Sequence, residues 1–158
     1  MPQLTSHEQI TVLAPRDEVF DWFLGQDLSN ILEGWGPMAA VDRTTGQTGP
    51  WDEPGSARTV HLSSGHTVRQ TVTDADRPAY FAYEVDEIES LLRHLSPEAL
   101  SEWQFRKTSA GTELRWTYTH QTPSVGAAIA LYPLVTFLWE GYMTQIIETV
   151  KANAESAL

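Results

Sequence analysis

The C-terminal stretch of the chain carries the strongest constraint on its fold. Val135, Leu138, Trp139, Tyr142, Met143, Ile146 and Val150 recur at helical spacing and make one broad apolar face. Thr122-Pro123 supplies a cap and a proline suited to a first helical turn, so a helix is predicted from there toward Ser156, kinked or restarted at Pro133. A face of that width, over about twenty residues, has to be buried against something large.

The rest of the sequence offers one such partner. From Met38 onward, strand-like segments are predicted at Ala39 to Thr45, Ala57 to Leu62, His66 to Thr73, Ala79 to Asp86, Leu100 to Arg106 and Thr112 to His120. Turn residues separate them at the short intervals of an antiparallel meander. Another strand, His7 to Leu13, comes first and is closed by Ala14-Pro15. A helix over RDEVFDWFLG follows, with Pro15 near its start, Asp17 and Glu18 in its first turn and Gly25 at its end. A second short helix is predicted over Asp27 to Leu32, before the Gly34-Trp35-Gly36-Pro37 break. TGPWDEPG reads as loop, and so does Glu87 to Pro97, within which IESLLRHL can form a brief helical turn. The expected fold is therefore α+β, an antiparallel sheet of about seven strands packed against a long C-terminal helix, with two short helices after the first strand. At 158 residues and 41% hydrophobic content, the chain suits a single domain, residues 1–158, with ample material for a core.

Register decides which polar residues point inward. A three-residue loop at Ser63-Ser64-Gly65 pairs Leu62 with His66, Val60 with Val68 and Arg58 with Gln70. Paired residues share a face, so Arg58 and Gln70 lie on the same surface as Val60, Leu62, Val68 and Val72. A four-residue loop at Ala75-Asp76-Arg77-Pro78 pairs Val72 with Phe81 and Gln70 with Tyr83, which extends the polar row to Arg58, Gln70 and Tyr83. A hairpin closed at Thr108 to Gly111 pairs Phe105 with Leu114 and Trp103 with Trp116, and continues the same face through Tyr118 and His120. An arginine on that face needs a neighbour, water or a ligand, because an unpaired buried charge is costly.

Composition excludes several function classes. A net charge of -11 repels phosphate backbones, so no nucleic acid partner is expected. Without cysteine there is no thiolate nucleophile and no Cys metal site, which fits a reducing compartment, and the start MPQLTSHEQITVL shows no secretory signal. Cytoplasmic is the simplest location. Gln121 to Trp139 is uncharged, but its mainly apolar part, Val125 to Trp139, is short for a membrane span and contains Pro133, so a buried helix is the expectation. Five scattered histidines in no metal-ligand spacing, and the absence of GxSxG, P-loop and GxGxxG patterns, leave no metal and no cofactor expected. Of the histidines only His120 follows the inward parity.

The runs GSARTV, SG, VRQTV, FAYEV and GTELRWTY, set in this element order, resemble the helix-grip proteins of the START and polyketide cyclase/dehydrase superfamily (SRPBCC). In the branch that contains lachrymatory-factor synthases and plant hormone receptors, the arginine matching Arg58 and an acidic residue matching Gln70 belong to an interior pocket. Glutamine at this position cannot exchange a proton as a carboxylate does. The resemblance implies binding of a hydrophobic small molecule, aromatic polyketide-like or lipid-like, between sheet and helix. Arg58, Val60, Gln70, Tyr83, Trp103, Trp116, Tyr118 and Trp139 are the candidate ligand-binding residues. The alternative is a cofactor-independent polyketide cyclase or dehydratase in which Arg58 stabilises an enolate and Tyr83 or His120 exchanges a proton. A second alternative is a protein-binding module with a collapsed interior.

Overall fold

The computed structural model describes residues 2–158 and begins with a strand longer than the sequence predicts. This strand, β1 (Gln3–Val12), is held along its whole length by antiparallel pairing with a strand from the far end of the sheet. Pro15, at φ -63°, precedes the first residue of α1 (Arg16–Leu24), which carries Asp17 and Glu18 in its first turn and buries Val19 and Phe20. Where a second helix is predicted, a single 3-10 turn forms at Leu28–Asn30. Asp27 caps it by accepting the Ser29 N–H at 2.9 Å, and the glycine-rich break that follows leaves no length for more.

The other strands are β2 (Val41–Thr45), β3 (Ala57–Leu62), β4 (Thr67–Asp76), β5 (Tyr80–Asp86), β6 (Glu98–Lys107) and β7 (Thr112–Gln121). Together with β1 they form one seven-stranded antiparallel sheet in the order β1-β7-β6-β5-β4-β3-β2. The chain thus meanders from β2 to β7, and β1 joins the far edge. Between β5 and β6 lies another 3-10 turn, Leu91–His94, within the predicted loop.

Arg58 pairs with Gln70 and Val60 with Val68, as the turn argument requires, and Gly65 closes the hairpin at φ +89°, where a side chain is strained. Trp103 pairs with Trp116 and Phe105 with Leu114. The β4 to β5 register differs from expectation: Gln70 opposes Val85, Val72 opposes Tyr83, and Ala75 opposes Phe81. Instead of turning at Ala75, β4 runs on to Asp76, and the loop is Arg77 to Ala79, closed by the Ala79 N–H on the Asp76 carbonyl at 2.8 Å. A bulge between Val72 and Asp74 absorbs the extra residue. Opposite Gln70 the slip is two residues, so Gln70, Tyr83 and Val85 keep the inward face.

The C-terminal helix has three parts: α2 (Val125–Leu134), a π-helical turn (Val135–Trp139) and α3 (Glu140–Ala157). Its cap is Ser124, whose hydroxyl accepts the Ala127 N–H at 3.1 Å, while the predicted cap Thr122 donates to the Pro2 carbonyl at 2.9 Å. Pro133 ends the regular hydrogen-bond ladder just before the π turn without breaking the helix. Tyr142, Met143, Ile146, Ile147, Val150 and Ala154 of α3 are buried and complete the core with residues of α1 and the sheet.

The expectation of a buried helix fails for α2, where only Leu131 is buried, followed by Val135 in the π turn. Val125, Ile129, Tyr132 and Phe137 are exposed. A segment apolar on every side cannot turn all of them inward, and two residues four apart mark its protein-facing side. By length and composition the helix Val125–Ala157 could cross a bilayer. With α3 packed on the core, it is the core helix of the fold and not a span.

Candidate functional site

Inward side chains of β3 to β7 meet α3, the π turn and the segment around Ile31 to line a partly open space of about 200 Å³. Val60 of β3, Gln70 of β4, Tyr83 of β5, Trp103 of β6 and Trp116, Tyr118 and His120 of β7 all line it, and Trp139 enters from the π turn opposite. Among the described residues, no aspartate, glutamate, lysine or arginine lines this space.

Arg58 lies apart from the other candidates. It is 6% exposed, its Nε donates to Gln70 Oε1 at 3.0 Å, and its guanidinium carbon sits 3.8 Å from the centre of the Trp51 ring. Burial lowers its pKa to about 10, partly offset by Tyr83 and Asp27, so it stays charged at neutral pH. Gln70 is the link, because its side chain lines the space while its oxygen is engaged by the arginine.

An aromatic cluster forms the floor and one wall. Trp103 and Trp116 stack at 4.6 Å with 14° between planes, Tyr118 lies 4.6 Å from Trp139, and His120 lies 4.9 Å from Tyr118. Trp116 Nε1 donates to Ser101 Oγ at 2.9 Å. Tyr142 donates its hydroxyl to the Ala39 carbonyl at 2.9 Å and accepts the Gly34 N–H at 3.0 Å, which ties α3 to the β2 side. Burial pushes the Tyr83 phenol up, with Ser101, Arg58 and Trp103 acting against the rise, and it pushes Tyr118 up as well. For His120 burial works the other way and lowers the imidazole to about 4.

The sequence prediction omits lining residues such as Phe23, Ile31, Met38, Tyr142 and Ile146, and it also omits two residues that support the lining from behind, Ser101 and Trp51. Ser101 shares the inward parity of Trp103, a signal available in the strand pattern. Trp51 is buried although it sits in a loop, where it packs on Phe81 and Tyr83 as well as Arg58. A lone tryptophan within the polar run TGPWDEPG was the available hint.

A curved seven-stranded antiparallel sheet closed by a long C-terminal helix defines a helix-grip protein. A family model described as "Polyketide cyclase / dehydrase and lipid transport" matches residues 3–155, and the chain belongs to that family. Among solved structures, a point mutant of norcoclaurine synthase from Thalictrum flavum is similar with TM-score 0.74 at 13% identity, over 99% of this chain and 96% of that one. Ara h 8.0201 is similar with TM-score 0.66 at 12% identity, over 98% and 99%. A Mesorhizobium loti protein is similar with TM-score 0.66 at 13% identity, over 94% and 95%. At these identities the likeness concerns the fold. No curated protein matches the chain in sequence.

Proposed function

We propose that the chain binds a hydrophobic small molecule, aromatic or lipid-like, in the space between the sheet and α3. The observation that carries this reading is the interior space itself, about 200 Å³, walled almost wholly by aliphatic and aromatic side chains. Val60, Trp103, Trp116, Tyr118 and Trp139 supply the apolar contact, and Gln70 and Tyr83 supply polar groups that orient the ligand. Arg58 acts through Gln70, holding its amide in one orientation. The norcoclaurine synthase fold has been captured with dopamine and hydroxybenzaldehyde, which supports small-molecule binding in a scaffold of this shape.

The cyclase or dehydratase reading needs a group that takes up a proton at neutral pH. Gln70 cannot, His120, lowered to about 4 by burial, is a weak base, and the Tyr83 phenol, pushed up by burial, keeps its proton at neutral pH, so binding is the better supported role. At about 200 Å³ the space lies below the roughly 300–1,000 Å³ of ordinary small-molecule sites, so it suits a compact ligand, whereas a fully collapsed interior would leave no such space. Native mass spectrometry after gentle purification, followed by a screen of aromatic and lipid compounds, tests the proposal. A co-purifying small molecule or a saturable hit is expected, and an empty protein that binds nothing in the screen overturns it.

A further inference from the structure

The first half of the C-terminal helix is both apolar and bare. From Gln121 to Trp139 the sequence has no aspartate, glutamate, lysine or arginine, yet Val125, Ile129, Tyr132, Leu134 and Phe137 are 40–72% exposed. The most apolar 18-residue stretch of the helix is only 17% buried, whereas a helix that serves purely as core is covered. Five large apolar side chains exposed along one short segment form a contact surface rather than the scattered hydrophobics of an ordinary exterior.

The arrangement of these residues selects what covers them. Val125, Ile129 and Tyr132, at i, i+4 and i+7, share one stripe, while Leu134, two positions beyond Tyr132, projects to the opposite side. Leu131 and Val135, the buried pair, occupy the edge between the two sides. A rigid partner, or a second copy of this chain, covers one stripe and leaves the other in water, whereas a fluid apolar medium covers both. Val125 to Trp139 extends about 20 Å as a helix, against the roughly 30 Å hydrocarbon core of a bilayer, so the segment can enter one leaflet and cannot span. The net charge of -11 disfavours anionic headgroups and leaves a neutral lipid surface.

Its place in the fold agrees. The strand β7 ends at Gln121, just before the Ser124 cap of α2, and Gln121 pairs with Glu98 at the start of β6. Just before β6 comes the Leu91–His94 turn, where Leu91 is 78% and Leu92 37% exposed. The same end of the sheet carries Leu62, Val68, Ile88 and Leu92, which line the interior space. Exposed apolar surface is thus gathered at the end of the sheet from which α2 departs.

We propose that α2 and the π turn form a docking surface for a neutral phospholipid bilayer, inserted into one leaflet, with the Leu91–Leu92 turn beside it. The proposal goes beyond ligand binding in the interior space, and its test uses no ligand, so either one can fail without the other.

The full chain is sedimented with sucrose-loaded vesicles of phosphatidylcholine, and with vesicles of phosphatidylcholine mixed with phosphatidylglycerol. Binding to the neutral vesicles and weaker binding to the anionic ones are expected. The double variant Ile129→Ser/Phe137→Ser is expected to melt with the parent and to lose about ten-fold or more in partitioning to phosphatidylcholine. Val125→Ser/Tyr132→Ser is the second pair should the first not fold. Absence of binding to phosphatidylcholine at millimolar lipid, serine variants that partition like the parent, or a preference for the anionic vesicles overturns the proposal. A lipid-free dimer that dissociates on the same substitutions also overturns it and assigns the surface to a second copy of the chain.

Discussion

Arg58 shows how much one buried charge can be asked to do at the residue scale. Its Nε holds Gln70 Oε1 and its guanidinium covers Trp51, so it joins β3, β4 and the loop that carries the tryptophan. Replacing it with methionine keeps much of the volume but leaves the glutamine oxygen unpaired and removes the cation from the ring. Arg58→Met is expected to destabilise the fold by about 1–3 kcal/mol in urea unfolding, and an unchanged or raised midpoint would contradict this structural role. His120 gives a pH signature. Its folded pKa, about 4, lies below the ordinary 6.5, so its stabilising contribution is complete above pH 6.5 and is lost as pH falls toward 4. The loss, up to about 3 kcal/mol, is absent in His120→Phe, so the stability difference between the two proteins is expected to change across that window and to be flat above it. That Arg58, Gln70 and His120 point inward was legible from strand parity alone. That Gln70 faces Val85 was not, because a bulge at Thr73 leaves no mark that distinguishes VRQTVTD from a regular strand.

At the scale of elements, the C-terminal helix divides into parts with opposite tolerance. In α3 Met143 is fully buried within the core, whereas Ile129 of α2 and Phe137 of the π turn are about 70% exposed. Met143→Ala is expected to cost about 2–5 kcal/mol, and Ile129→Ser or Phe137→Ser less than about 0.5 kcal/mol, as read by chemical denaturation. A large loss from either serine variant would mean that this surface is covered in the folded protein. Periodicity made α3 legible, because Tyr142, Met143, Ile146 and Val150 recur among polar residues. The α2 segment has no such contrast, since nearly every position is apolar or small, and hydrophobicity alone does not say which side meets protein. The strands were legible in number and order, since each is bounded by turn residues, but their ends were not. β1 starts at Gln3 because β7 pairs with it along its whole length, and β4 runs to Asp76 because the start of β5 pairs with Ala75 and Asp76, so cross-strand pairing holds residues that lack strand character of their own.

For the molecule as a whole, the interior space is shared by nearly every element, since side chains from β2 to β7, α1 and α3 all reach it. A ligand held there contacts a surface that exists only when all of these are assembled, so its binding free energy adds to the stability of the entire fold. Element order made this arrangement legible in outline, whereas its size depended on rotamers and on the π turn that brings Trp139 inward. A ligand at about 100 times its Kd stabilises by about 2.7 kcal/mol, which in a domain of this length raises Tm by about 5–10 °C. The rise is expected as one cooperative transition moving intact, without a separate step for the helix. Val68→Phe supplies the control. Val68 is half-buried at the lining of the space, so a phenyl ring can turn into open volume, and the overpacking cost is expected to stay near about 1 kcal/mol. Filled from within, the variant is expected to fold, melt slightly lower than the parent and show little or no ligand-induced rise. A full rise in Val68→Phe would place the ligand elsewhere, on the exposed face of α2 or in a surface groove, and would separate binding by this protein from binding in its interior.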